Sequence, residues 1–173
     1  MCRLLAAATA MLLACPAASA GDWRGFVGIE KRLFLQNPVD ARQVDDLNIS
    51  LVVDAEYEHV WPERYERLVF APFLRIDQHD RDRTHADVRQ LYWEKSWDFL
   101  DLRIGIRKVF WGVTESQHLV DILNQTDLIA NIDAEDKLGQ PMISAAWLGE
   151  WGTLDFFVLP GFRERTFPGV DGR

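Results

Sequence analysis

Ile49-Ser50-Leu51-Val52-Val53-Asp54-Ala55-Glu56-Tyr57-Glu58-His59-Val60-Trp61 is followed directly by Pro62-Glu63-Arg64-Tyr65. Ile49, Leu51, Val53, Ala55, Tyr57 and Trp61 fall on one face at a period of two. Ser50, Asp54, Glu56 and Glu58 fall on the other, with Val52 the main apolar intrusion. Successive side chains of a strand point to opposite faces, so this pattern predicts a pleated strand with one oily and one polar surrounding.

The same pattern recurs outward from this stretch. Leu68, Phe70, Leu74 and Ile76 lie opposite Arg67, Arg75 and Asp77. Leu100, Leu102, Ile104 and Ile106 alternate with Asp101, Arg103, Gly105 and Arg107. Leu154, Phe156 and Val158 alternate with Thr153, Asp155 and Phe157. Three short breaks share one design: Trp61-Pro62-Glu63-Arg64-Tyr65, Trp93-Glu94-Lys95-Ser96-Trp97 and Trp147-Leu148-Gly149-Glu150-Trp151. An aromatic ring on both shoulders of a hairpin suits a membrane interface, where an apolar body meets a polar rim. Trp61, Tyr65, Trp93, Trp97, Trp147 and Trp151 are therefore expected to form an aromatic girdle. Cross-strand packing in a soluble sheet is the other use of such rings.

The remaining connections, 35–48, 77–85 and 112–139, are long and polar. Short turns alternating with long loops is the asymmetry of outer-membrane barrels. If the first strand, about Trp23 to Leu33, runs outward, the alternation holds through a seventh strand ending near Pro160. The expected fold is all-β: an antiparallel up-and-down transmembrane β-barrel, incomplete at about seven strands, with a helical loop insertion. Bacterial barrels close with an even number of strands. The chain also ends in a polar stretch from Arg163 to Arg173 that reads as another loop, so a truncated or N-terminal portion is expected.

The first twenty residues have a different character. Arg3 precedes an apolar run from Leu4 to Leu13, and Ala18-Ser19-Ala20 offers small residues for cleavage before Gly21. The expected division is a signal peptide over 1–20 and barrel over 21–173. Leu12-Leu13-Ala14-Cys15 also resembles a lipobox, which leaves lipidation of Cys15 as an alternative. Cleavage at Gly21 would remove Cys2 and Cys15, the two cysteines of the chain. The run is too short for a membrane helix of roughly 20 residues, and charges interrupt every later apolar stretch.

Asp and Glu number 27 against 19 Lys and Arg. That excess of negative charge argues against nucleic acid as a partner. Catalysis has little support: Ser116 and His118 with Glu115 and Asp121 are close in sequence, but triads are defined by geometry. Phosphate-loop, zinc-protease and nucleophile-elbow motifs do not occur. Asp77, His79, Asp80, Asp82 and His85 gather potential metal ligands, yet Arg81 and Arg83 stand among them, and a solvated loop is the expectation. No enzyme activity, cofactor or metal is expected.

Residues 111–141 are the least strand-like. Leu119, Ile122 and Leu123 have helical spacing, and Asn124-Gln125-Thr126-Asp127-Leu128 has turn chemistry. A connection of this length is usually functional. It is expected either to fold into a pore and constrict it or to remain outside as a loop.

Arg103-Ile104-Gly105-Ile106-Arg107-Lys108-Val109-Phe110-Trp111-Gly112 with Thr114-Glu115, followed by Asn124-Gln125-Thr126-Asp127-Leu128, resembles a segment of large porin-like outer-membrane proteins of Gram-negative bacteria. The resemblance covers some 40 residues. It implies a barrel of many strands in the outer membrane and carries no information about substrate. On that model Asp54, Glu56, Glu58, Arg67, Arg75, Asp101, Arg103, Arg107 and Asp155 line the pore. Both signs are present, so pairing between strands is expected, with an anion-attracting wall of Arg67, Arg103 and Arg107 as the alternative.

The expected function is passive diffusion of small polar solutes. The expected partners are outer-membrane lipid, the barrel-assembly machinery and those solutes, with homo-oligomerisation left open. The competing reading is a secreted or periplasmic β-sandwich that binds carbohydrate on exposed tryptophans.

Overall fold

A computed structural model of the chain describes residues 7–11, 21–110, 122–130 and 135–172. Seven strands run from Asp22 onward: β2 (Asp22–Leu33), β3 (Leu47–Trp61), β4 (Glu66–Asp77), β5 (His85–Trp97), β6 (Leu100–Arg107), β7 (Gln140–Gly149) and β8 (Gly152–Val158). A short strand β1 (Ala7–Met11), inside the expected leader, pairs along Val27–Lys31 of β2. All neighbours are antiparallel and follow sequence order in one open sheet.

The short connections sit at one end of this sheet and the long ones at the other. Trp61 pairs with Glu66 across the 3-10 turn Pro62–Arg64, which Tyr65 closes in the left-handed conformation (φ 52°) by donating its N–H to Pro62 O. Trp97 pairs with Leu100 across Asp98-Phe99, and Gly149 pairs with Gly152 across Glu150-Trp151. The break expected at Glu94-Lys95-Ser96 is thus displaced: β5 continues through these residues to Trp97. The reason is chemical. Glu94 accepts from Arg67 and Arg103 on one face, while Lys95 reaches Glu66 on the other. Three charged or hydroxylic residues in a row that resemble a turn are held in strand conformation by partners on the adjacent strands.

Register assigns every strand residue to a face, because directly opposed residues share one. Ile29, Leu51 and Ile76 form one apolar rung. Leu68, Trp93, Ile104, Ile143 and Val158 form a second, and Trp97, Leu100, Trp147 and Leu154 a third. Arg67, Glu94, Arg103 and Ser144 occupy a rung of the opposite face. Burial is inverted relative to a water-soluble sheet. Leu51, Leu74 and Ile76 are 40%, 38% and 48% exposed, whereas Ser50, Arg75 and Asp77 between and beside them are 2%, 5% and 9%. Across β3, β4 and β7 the polar face is the more covered one and the apolar face the more open, while Asp22, Arg24 and Phe26 of β2 and Asp155 of β8 are exposed.

The cover is the connection between β6 and β7. Asn124 pins it: its amide donates to Arg107 O and Leu138 O, and its Oδ1 accepts from the Val109 N–H. Asp127 caps the turn that follows, accepting from the Ile129 and Ala130 N–H groups. Thr126 bridges Lys137, and Asp127 bridges Thr166 of the tail. The helical insertion expected in this connection is not supported. Residues 122–130 form bends, bridges and a turn, and the earlier part of the helical pattern, 118–121, lies outside the described residues. Side-chain bonds from Asn124 and Asp127 to the backbone offer the chain an alternative to helix.

Candidate functional site

All nine residues expected on one wall share the polar face. Asp54 lies opposite Phe73 and Arg75 opposite Val52; Glu58 lies opposite Val69, and Glu56 opposite Arg24. Arg67 and Arg103 share the Glu94 rung, Asp101 and Asp155 both face Ala146, and Arg107 faces Gln140. Strand alternation alone positions them, and the charges then organise into layers from the short turns to the long loops.

The layer nearest the turns is paired. Arg67 donates to Glu94 Oε2 at 2.7 Å and Glu58 Oε1 at 3.2 Å. Arg103 donates to Glu94 Oε2 at 3.0 Å and reaches Asp101 at 3.5 Å. Arg24 joins through Glu56 and Glu58. For Arg67 and Arg103 the expectation of cross-strand pairing therefore holds. The aromatic ring of Tyr92 lies beneath, 5.9 Å from the guanidinium carbon of Arg67 and 5.1 Å from that of Arg107.

The middle layer differs. Arg107 donates to Ser144 Oγ at 2.7 Å, and its Nε is buried with no hydrogen-bond partner among the described residues. Lys108 follows it directly, and burial, with Arg89 nearby, lowers the pKa of its ammonium. Arg103, Arg107, Lys108, Ser144 and Asp155 line a pocket of about 250 Å³. Across the sheet in this layer, Arg89 reaches Asp54 at 3.3 Å and Asp136 of the covering segment at 3.4 Å.

The layer nearest the long loops is a latch. Arg75 and Arg83 both donate to the Ala130 carbonyl, and Arg32 approaches it at 3.5 Å. Glu30 is shared by all three, reaching Arg75 at 3.1 Å and Arg83 at 3.4 Å and also pairing with Arg32. Asp77 takes Ser50 Oγ, Asn48 Nδ2 and Arg83 Nε at 2.6, 2.9 and 3.1 Å. The acidic loop that gathered potential metal ligands thus turns its key carboxylate to an arginine. Among the described residues no group of three or more His, Cys, Asp or Glu side chains is arranged to hold a metal ion.

The aromatic set is placed unevenly. Trp61, Tyr65, Trp97, Trp147 and Trp151 stand at the short-turn end, the last four well exposed. Trp93 does not flank a turn; it lies within β5 on the apolar face, opposite Leu68 and Ile104. Phe99, in the turn itself, takes the place expected of it, and is 60% exposed. Trp23, Tyr57, His59 and Trp61 make a row of rings on the apolar face, with centroids 5.0, 6.4 and 4.0 Å apart in turn.

Glu94, Ser144, Arg89 and Lys108 belong to the polar face and were not anticipated. Reading residues 85–97 as one strand would have revealed Glu94. Arg89 is moved by a bulge at Ala71/Pro72, where proline supplies no N–H to the ladder. No family model, no curated protein and no solved structure matches this chain.

Proposed function

We propose that this chain supplies strands of an outer-membrane β-barrel through which small polar solutes diffuse, with the segment between β6 and β7 folded inward as a constriction. One observation carries the reading: across β3, β4 and β7 the sheet exposes its apolar face and covers its polar one. Soluble monomers rarely expose apolar patches beyond a few hundred Å², and here the open patch extends across the strands. In lipid the same face is the buried one. A strand of about 9–11 residues crosses a bilayer at a tilt; β7 has 10, and β2 and β4 exceed that span by one residue at 12.

Several further features support the reading. Tyr65, Trp97, Trp147 and Trp151 are exposed at the short-turn end, as an interfacial girdle would be, while Phe110, Phe162 and Phe167 are exposed toward the long-loop end. Asn124, Ala130 and Asp136 of the connection between β6 and β7 are tied to the sheet at Arg107, at Arg75 and Arg83, and at Arg89. Beyond β8 the tail returns across the long-loop end, where Gln43 donates to Gly172 O at 2.8 Å and Thr166 to Asp127 at 2.7 Å. Such contacts between the first loop and the tail suit a sheet that curls. An open edge in hydrocarbon leaves backbone groups unsatisfied at several kcal/mol each, so the edges would be paired by further strands or a second copy.

The test uses the native protein, recovered from separated outer-membrane and soluble fractions and reconstituted in planar bilayers. The expected result is recovery from the outer membrane with discrete conductance steps, which widen when residues 113–138 are deleted. Unchanged conductance would remove the constriction from the reading. Recovery solely from the soluble fraction, with saturable binding to carbohydrate, would replace the barrel with the sandwich module.

A further inference from the structure

In the middle layer, among the described residues, positive charge is paired differently from the layer nearest the turns. Glu94 is shared by Arg67 and Arg103, and Asp101 lies against Arg103. Arg107 has a serine hydroxyl and an aromatic ring instead of a carboxylate among the described residues. Its Nε is buried with no hydrogen-bond partner among the described residues, as is that of Arg75 in the latch, and such a donor is costly unless something accepts from it. Lys108 adds a second cation at the same pocket, about 250 Å³ in volume. That space is below the range of drug-sized sites and suits a small molecule. Asp155, exposed and opposite Ala146 on β7, also lines this pocket. It repels a compact dianion and accepts well from a hydroxyl.

We propose that Arg107, Lys108 and Ser144 form a subsite for the carboxylate of a small hydroxylated solute, with Asp155 accepting from the solute's hydroxyl. Guanidinium and ammonium groups in a partly desolvated wall bind carboxylate by charge-assisted hydrogen bonds. The subsite lies where Asn124 fastens the covering segment to Arg107 and Val109, so a solute bound there occupies the narrow part of the path. The inference rests on the polar face being a solute path, but its test does not need conduction.

The test is equilibrium binding of gluconate, succinate and inorganic phosphate to the detergent-extracted protein, with conductance recorded on the same preparation. Gluconate is expected to bind saturably and more tightly than phosphate, with affinity falling as salt rises. Arg107→Gln and Lys108→Gln are each expected to weaken gluconate binding by roughly tenfold or more. Arg107→Lys restores part of it, and Arg81→Gln, in an exposed loop, leaves it unchanged. Asp155→Asn is expected to weaken gluconate while sparing succinate, which has no hydroxyl. Absence of saturable gluconate binding by folded wild-type protein, or equal binding by both glutamine variants, would overturn the subsite. Phosphate preferred over gluconate would overturn the carboxylate assignment. Conductance without binding removes this subsite and leaves the channel; binding without conductance does the reverse.

Discussion

Asp77 closes β4 and receives Asn48, Ser50 and Arg83, together with the His79 and Asp80 N–H groups at 3.0 and 2.9 Å. Its side chain is fully covered. Removing one partner of such a buried charged cluster leaves the others uncompensated, at a cost of about 3–5 kcal/mol. Asp77→Ala is therefore expected to lower the denaturant midpoint strongly, while Asp40→Ala, in an exposed pair with Arg42, leaves it where it was. The comparison is read from unfolding of both variants in the same detergent. Equal midpoints would show that the latch does not stabilise the fold. Asp77 was legible as a polar-face residue, but its partner Arg83 was not. An Asp-Arg-Asp-Arg run reads as solvated, and which residue of the run turns inward depends on contacts with β2 and the covering segment.

At the scale of elements, alternation told most of the story. The faces of β3, β4, β6 and β8 follow from period two, and the register then aligns them without exception for the nine wall residues. β5 was harder. Its Glu94-Lys95-Ser96 stretch has the composition of a turn, and its bulge puts Arg89 and Gln90 successively on the polar side. Local composition cannot report a partner on a strand distant in sequence. In the covering segment helical spacing competes with Asn124 and Asp127 binding backbone, and the backbone bonds prevail among the described residues. Gly105 makes a prediction for β6. Its φ is +139°, and a Cβ there would lie 2.1 Å from Leu91 O and 2.7 Å from the Tyr92 Cα. Gly105→Ala is expected to strain the β5–β6 ladder by about 1–3 kcal/mol, seen as a lowered thermal transition. Gly28→Ala, whose Cβ meets Phe26 no closer than 3.5 Å, should be mild. An unmoved transition in Gly105→Ala would mean that the two strands pair less closely than described.

The whole molecule is marked by one inversion, seen across β3, β4 and β7: polar side chains covered, hydrocarbon side chains open. The net charge of −8 gives no hint of it, because most strand arginines and carboxylates, the Glu66–Lys95 pair aside, fall on one face of the sheet rather than at one end of the chain. The sequence made the two faces legible. It could not make legible which face is covered, since that depends on where the β6–β7 connection lies. The most direct measurement places single spin labels along β3, β4 and β7 of the membrane-reconstituted protein, and compares collisions with dissolved oxygen and with a water-soluble nickel complex. Labels at Leu51, Leu74, Ile76 and Ile143 are predicted to favour oxygen, and labels at Val52, Phe73 and Ser144 to lose that preference, alternating residue by residue. Apolar-face labels that meet neither reagent, in a protein that stays in the aqueous phase, would show that another protein surface covers this face and would contradict the barrel.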